Sequence, residues 1–248
     1  MALDIHRPEP TLDASGGLSL AERGKAADGS PIQSDRRLYV QLLAFTGATD
    51  TGALVAALRA AAFDAVLYED VNDPAGVGLL TFHEDPAHLL DTVRPFVRSG
   101  PFADLVYRPE MAMLGRTYAI GYEADLDETL VHRPRRTMLT PAWPWAVWYP
   151  LRRSGRFEQL PAEEQRTMLM EHGGIGRAFG RADHAHDVRL ACHGLGREDN
   201  DFIAGLVGPT LTGPSAVVQR MRRTQQTSLY LDHLGPFFVG RAVYQSPL

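Results

Sequence analysis

One order of elements occurs twice along this chain, and it constrains the fold more than any single motif does. In the first half, 38–45 (LYVQLLAF) reads as a buried strand, 53–63 as a helix, 65–71 and 76–82 as a strand pair, and 85–97 as a helix capped by Asp85 with Pro86 at its first position. A last strand over 104–118 completes the set. The second half gives strand 145–151, helix 160–172, strands 186–195 and 201–208, helix 215–231 and strand 235–244. Both halves run β-α-β-β-α-β, the ferredoxin-like order, although they share no obvious sequence. Helices cover one face of each sheet, so the other face must be buried, most simply against its twin. The predicted class is α+β, with tandem ferredoxin-like repeats forming an α+β barrel.

The chain divides accordingly into 1–34, 35–120, 121–144 and 145–248. The first stretch is rich in Asp, Gly, Ser and Pro and is expected to be a mobile or partner-dependent arm. Residues 35–120 and 145–248 are the two halves, and 121–144 is an acidic linker. Composition narrows the function. A single cysteine, Cys192, excludes a disulfide scaffold and Cys-rich zinc or iron–sulfur sites. The net charge of -5 gives no general attraction to nucleic acid, and no apolar run approaches the ~20 residues of a membrane span. Residues 1–10 lack the order of a signal peptide, so a cytoplasmic location is expected. Lys25 is the only lysine and every other cationic side chain is an arginine, a preference that genome base composition explains as well as any need for planar forks at anionic ligands.

The second half holds the distinctive residues. Its first helix opens at Pro161, carries Glu163 and Glu164 in its first turn, and is read as ending at Gly173-Gly174, just after Glu171-His172. His172 lies four residues after Met168 and three after Leu169, on the inward apolar face. An imidazole there is either a hydrogen-bonded core residue, the commoner case for a lone histidine, or a metal ligand. Downstream, RADHAHDVR (181–189) gathers Asp183, His184, His186 and Asp187, which read either as a weak metal cluster or as a solvated loop entering a strand. Alternation sends Trp148 to the face opposite Tyr149, so Trp148 is expected in the core or at a subunit interface, with Trp143 or Trp145 at an interface or beside a ligand.

Four segments in order resemble one known family: W-Y-P (148–150), LPAEEQRTMLMEHGGIGR (160–177), RLACHGLGREDNDF (189–202) and SLYLDHLGPFFVG (228–240). The chain is similar to the chlorite dismutase and coproheme decarboxylase superfamily of haem proteins. The resemblance spans the second half, and the first half agrees in element order. It implies two ferredoxin-like halves, haem held in the second, and ring assemblies, usually pentamers. His172 matches the proximal iron ligand, leaving the sixth position open to an oxidant. Arg189 matches the distal position, where decarboxylases usually carry Gln or His and chlorite dismutases Arg. The loop between helix and strand is longer than usual in the family, which leaves His184 or His186 able to enter the distal pocket.

Tyr149 matches the radical tyrosine of the decarboxylase motif Y-P-M-x-K, written here Y-P-L-R-R with Arg153 in place of the lysine. Arg135, its neighbour Arg136, and Ser228 fall where decarboxylases bind propionates. The resemblance thus implies a haem-dependent, peroxide-using oxidoreductase on haem b or iron coproporphyrin III, most concretely a coproheme decarboxylase. Chlorite breakdown and general peroxidase activity are the enzymatic alternatives, and a haem carrier or sensor is the non-enzymatic one. A homo-oligomer is expected from the ring-forming resemblance and the tryptophan-rich segment. Light scattering should give a mass several times the 27.3 kDa of one chain; a monomer at micromolar concentration would contradict it.

Overall fold

The computed structural model describes residues 16–248. Its strands are β1 (Glu22–Lys25), β2 (Pro31–Ser34), β3 (Tyr39–Thr46), β4 (Ala65–Asp70), β5 (Val77–His83), β6 (Val106–Tyr107), β7 (Met113–Thr117), β8 (Trp145–Arg153), β9 (His186–Ala191), β10 (Phe202–Gly208), β11 (Leu231–Leu234) and β12 (Phe238–Gln245). The helices are α1 (Gly52–Ala60), α2 (Arg94–Val97), α3 (Arg133–Leu139), α4 (Gly155–Glu158), α5 (Ala162–Arg181), α6 (Thr212–Met221) and α7 (Gln225–Leu229).

The first half forms the sheet order β4-β5-β3-β7 and the second β9-β10-β8-β12. The last strand of each half then pairs the second strand of the other: β7 with β9, and β12 with β4, both antiparallel. Eight strands close on themselves, which removes both sheet edges. The two ferredoxin-like halves and the α+β class are as expected from the element order.

Alternation along each strand sorts residues into two layers. Inward residues of both halves, among them Val40, Leu42, Tyr68, Leu80, Trp148, Leu190 and Phe238, make one core inside the barrel. Trp148 is therefore core, opposite Tyr149. Outside, α1 buries Leu54 and Leu58 against Leu67 and Leu79, and the second half packs Val147, Tyr149 and Leu206 against Ala185 and Val217. Glycines let the largest inward rings fit. A Cβ at Gly205 would overlap the Trp148 ring across the β10–β8 pair, and one at Gly78 would overlap Phe238.

Several sequence-based expectations need correction. The helix read as ending at Gly173-Gly174 runs on to Arg181. Neither glycine adopts a positive φ, so each weakens the helix by about 1 kcal/mol relative to alanine without ending it. The end comes where Asp183 takes a φ of 54°. The helix 215–231 is two helices, α6 and α7, reset by Thr224, whose hydroxyl accepts from the Thr227 amide. Residues 231–234 then form β11 against the end of β8. The strand 104–118 is broken into β6 and β7 by a 3-10 turn at Pro109–Met111.

The helix 85–97 begins with the Asp85 carboxylate accepting from the Ala87 amide, widens to a π turn at Leu89–Val93 and finishes as α2. In the 121–144 segment, a π turn at Glu128–His132 likewise leads into α3, so this stretch is largely a helical cap and not an open linker. A proline follows each π turn by two residues, at Pro95 and Pro134. Its ring crowds the preceding carbonyls, and a wider turn relieves the contact. Of the 1–34 arm, 1–15 lie outside the described residues, whereas β1 and β2 pair as a hairpin around Asp28-Gly29. Glu22 ties that hairpin down through Arg116 at 2.6 Å and the Ala119 amide at 3.0 Å. Among the described residues no helix is long and apolar enough to cross a membrane.

Gly205→Ala should lower the unfolding free energy by about 1–3 kcal/mol, the usual cost of overpacking a filled core. Denaturant unfolding of the two proteins checks it, and an unchanged midpoint would mean that Trp148 yields without cost.

Candidate functional site

The outward face of the second sheet carries the unusual residues, and strand register places them. Ala204 on β10 lies opposite Tyr149 on β8 and opposite Arg189 on β9. The three form one row across the sheet, with side chains on the same face. Leu151 and Arg153 continue that face along β8, and Asp187 continues it along β9. Arg189 Nε lies 3.0 Å from Asp187 Oδ2 in an ion pair, and its side chain stays 43% exposed. Ala204 is only half-buried.

Over this face runs α5, twenty residues long with Met168 as its one fully buried side chain. The nine-residue α1 buries two on the other half. Thus α5 is not pressed onto the sheet along its length. A cleft of about 680 Å³ opens between α5 and α6, with Ile175, Ala178 and Phe179 on one wall and Arg220, Arg223 and Thr224 on the other. None of His172, Tyr149, Ala204 and Arg189 lines it.

His172 projects from α5 with Nδ1 buried and without a hydrogen bond. Its pKa is pushed down to about 4, first by burial and then by the Arg153 and Arg189 guanidiniums, which disfavour a third positive charge. Those two cations place His172 in the field of the Tyr149–Ala204–Arg189 face. The imidazole is neutral near pH 7, the form that can give a lone pair to a metal. Tyr149 stacks on Phe237 with ring centroids 4.7 Å apart, and burial pushes its pKa up to about 12. Its hydroxyl therefore keeps its proton at all physiological pH.

The other expected site residues are distributed unevenly. Arg153 reaches the same end of the sheet, over the rings of Phe157 and Phe202 at 4.5 and 4.9 Å. Arg135 and Arg136 are not brought to this face. Arg135 forks onto Asp64 at 2.6 and 3.1 Å beside the start of β4, and Arg136 holds Glu128. Ser228 lies exposed on α7, its hydroxyl donating to the Thr224 carbonyl within the helix.

The histidine-rich loop is also resolved by register. His186 alternates with Asp187 and Arg189 and so turns to the barrel side, where its ring stacks on Trp143 at 3.5 Å. Asp183 accepts from both, at 2.7 Å from His186 Nε2 and 2.9 Å from the Trp143 indole. His184 lies just before the strand, exposed. Arg189, and neither histidine, shares the row with Tyr149. Among the described residues no group of three or more His, Cys, Asp or Glu could hold a metal ion, so the alternative metal cluster is not formed.

Sequence reasoning missed Ala204, Phe237 and the arginines around 220–223. The pattern RMRR (220–223) was a visible signal for the last; a lone alanine carries none.

Comparison with known proteins agrees with this fold. Residues 48–243 match the chlorite dismutase family model, and the chain belongs to that family. Its fold is similar to that of a heme-binding protein from Thermus thermophilus, with 19% identity, a TM-score of 0.66, and coverage of 84% of this chain and 91% of that one. It is also similar to a tryptophan-to-phenylalanine variant of the chlorite dismutase from Candidatus Nitrospira defluvii in complex with cyanide. There the identity is 14%, the TM-score 0.64, and the coverage 86% and 92%. No curated protein matches the chain in sequence.

Because the Tyr149 phenol titrates near 12 and an ordinary one near 10, wild type and Tyr149→Phe should show the same phenolate absorbance up to about pH 11. Extra absorbance from the wild type near pH 10, with secondary structure intact, would contradict the burial of that hydroxyl.

Proposed function

We propose that this chain is a haem-dependent oxidoreductase that uses peroxide, acting as a coproheme decarboxylase. The observation that carries the reading is the buried, protonated Tyr149 on the sheet face under the helix that bears His172. Haem fits these residues. His172 is neutral and has a buried ring nitrogen with no hydrogen bond, the face below it is partly uncovered, and guanidiniums flank it. His172 would hold the iron, and Arg153 is the one matched propionate partner on this face besides Tyr149 itself.

When bound, haem supplies one-electron oxidation driven by peroxide. The chain's own residues direct that oxidation. Tyr149, having given up a proton and an electron, takes a hydrogen atom from the propionate carbon bonded to the porphyrin ring. The carboxylate then leaves as carbon dioxide with loss of a second electron, and a vinyl group remains. For each propionate, one peroxide and one proton are consumed and two waters are formed, so atoms and charge balance. Phe237 stacked on the phenol keeps water from that ring face, and burial prevents Tyr149 from simply ionising.

Arg189 supports a second reading, conversion of chlorite to chloride and dioxygen. It lies in the same row, bears a permanent charge and offers its terminal nitrogens to an anion while Nε is held by Asp187. It cannot act as a base in either reaction.

On reconstitution, His172→Ala should lose the Soret band or weaken it greatly. Tyr149→Phe should stop vinyl formation from iron coproporphyrin plus peroxide while leaving porphyrin affinity nearly unchanged. Dioxygen release from chlorite by the wild type, slowed by Arg189→Ala and indifferent to Tyr149→Phe, would favour the second reading. Full haem binding by His172→Ala would remove the basis of both.

A further inference from the structure

The three elements that carry His172, Arg189 and Tyr149 meet at one carboxylate outside the site. Asp183 lies just past the end of α5, the helix of His172. Its Oδ1 accepts from His186 Nε2 at 2.7 Å, and His186 opens β9, the strand of Arg189. The same oxygen accepts at 2.9 Å from the indole of Trp143, just ahead of β8, the strand of Tyr149. The imidazole and indole rings stack at 3.5 Å, so the two donors arrive side by side. Among the described residues Asp183 is also the single non-glycine with a positive φ, 54°, a conformation that persists only where the surroundings impose it.

The rest of this turn is equally fixed. A Cβ at Gly208 or Gly213 would overlap the His184 carbonyl, so the backbone seats directly on the end of β10 and the start of α6. Ala185 is buried in the cluster that holds Tyr149 and Leu206. By contrast, α5 itself fully buries one side chain, Met168, so its far end takes its position from the turn. We infer that Asp183 is a positioning residue: by holding Trp143 and His186 on one oxygen it fixes where α5 stands over the sheet, and with it the geometry between His172, Tyr149 and Arg189. For its catalytic consequence the inference rests on the haem reading above. Asp183 is exposed, so replacing it removes two hydrogen bonds without opening a cavity in the core.

Because both bonds end on one oxygen, two substitutions separate them from the backbone conformation. Asp183→Asn keeps the acceptor and tolerates the positive φ, whereas Asp183→Gly tolerates the φ and removes the acceptor. Vinyl formation from iron coproporphyrin plus peroxide should fall about tenfold or more in Asp183→Gly, with porphyrin affinity within about threefold, because rate depends on placement more steeply than binding does. In Asp183→Asn it should stay within about twofold of wild type. Without porphyrin, amide hydrogen exchange over 173–181 should quicken about tenfold in Asp183→Gly and not in Asp183→Asn, with β3 and β5 unchanged in both. If Asp183→Gly does not fold, Trp143→Phe, which removes one donor and keeps an aromatic ring, should show a smaller loss in the same order. Wild-type rate and exchange in Asp183→Gly, or an equal loss in Asp183→Asn, would overturn the inference. A wild-type protein that binds no porphyrin or forms no vinyl group would instead overturn the function proposed above, and the exchange experiment would still decide whether Asp183 holds α5.

Discussion

Everything distinctive about this protein depends on burying the inner faces of two four-stranded sheets against one another. Each half alone would expose an apolar sheet surface, and its outer strands would present unpaired amides and carbonyls. Pairing β7 with β9 and β4 with β12 removes both costs at once. The closed barrel is rigid because Trp148, Tyr68 and Phe238 fill it, and these rings are admitted by glycines on facing strands. Fixing Trp148 inside fixes Tyr149 outside, since neighbours on a strand cannot share a face.

The two outer layers then differ in kind. In the first half the helices are pressed onto the sheet, with Leu54 and Leu58 fully buried. In the second half a helix more than twice as long buries one side chain completely and leaves a cleft against its neighbour. The glycines of α5 cost helix stability, and two of the four, Gly174 and Gly176, have nothing within 4 Å of where a side chain would begin.

Electrostatics completes the site. Burial first, and then the Arg153 and Arg189 guanidiniums, keep the half-buried His172 imidazole neutral, while burial keeps the Tyr149 phenol protonated. Neither the imidazole nor the phenol is ionised at neutral pH. Arg135 and Arg136, which the sequence pattern pointed to as further anion partners, are taken up by Asp64 and Glu128 instead. Their ion pairs hold α3 as a cap.

The sequence by itself determined the repeated element order, the barrel, the opposite facing of Trp148 and Tyr149, and the inward direction of His172. These follow from short-range periodicity: period two for strands, and three to four for helices. It misplaced the end of α5, because a glycine ends a helix only when its φ turns positive, and that is decided by what the next residues pack against. It favoured Arg189 for the face of Tyr149 but left open whether His184 or His186 enters as well, because loop length does not set register. Only the tertiary structure decided that, through β10, whose hydrogen bonds align Ala204 with Tyr149 on one side and Arg189 on the other. Pairing between strands distant in sequence is a property of the closed sheet, and no local pattern in either strand encodes it.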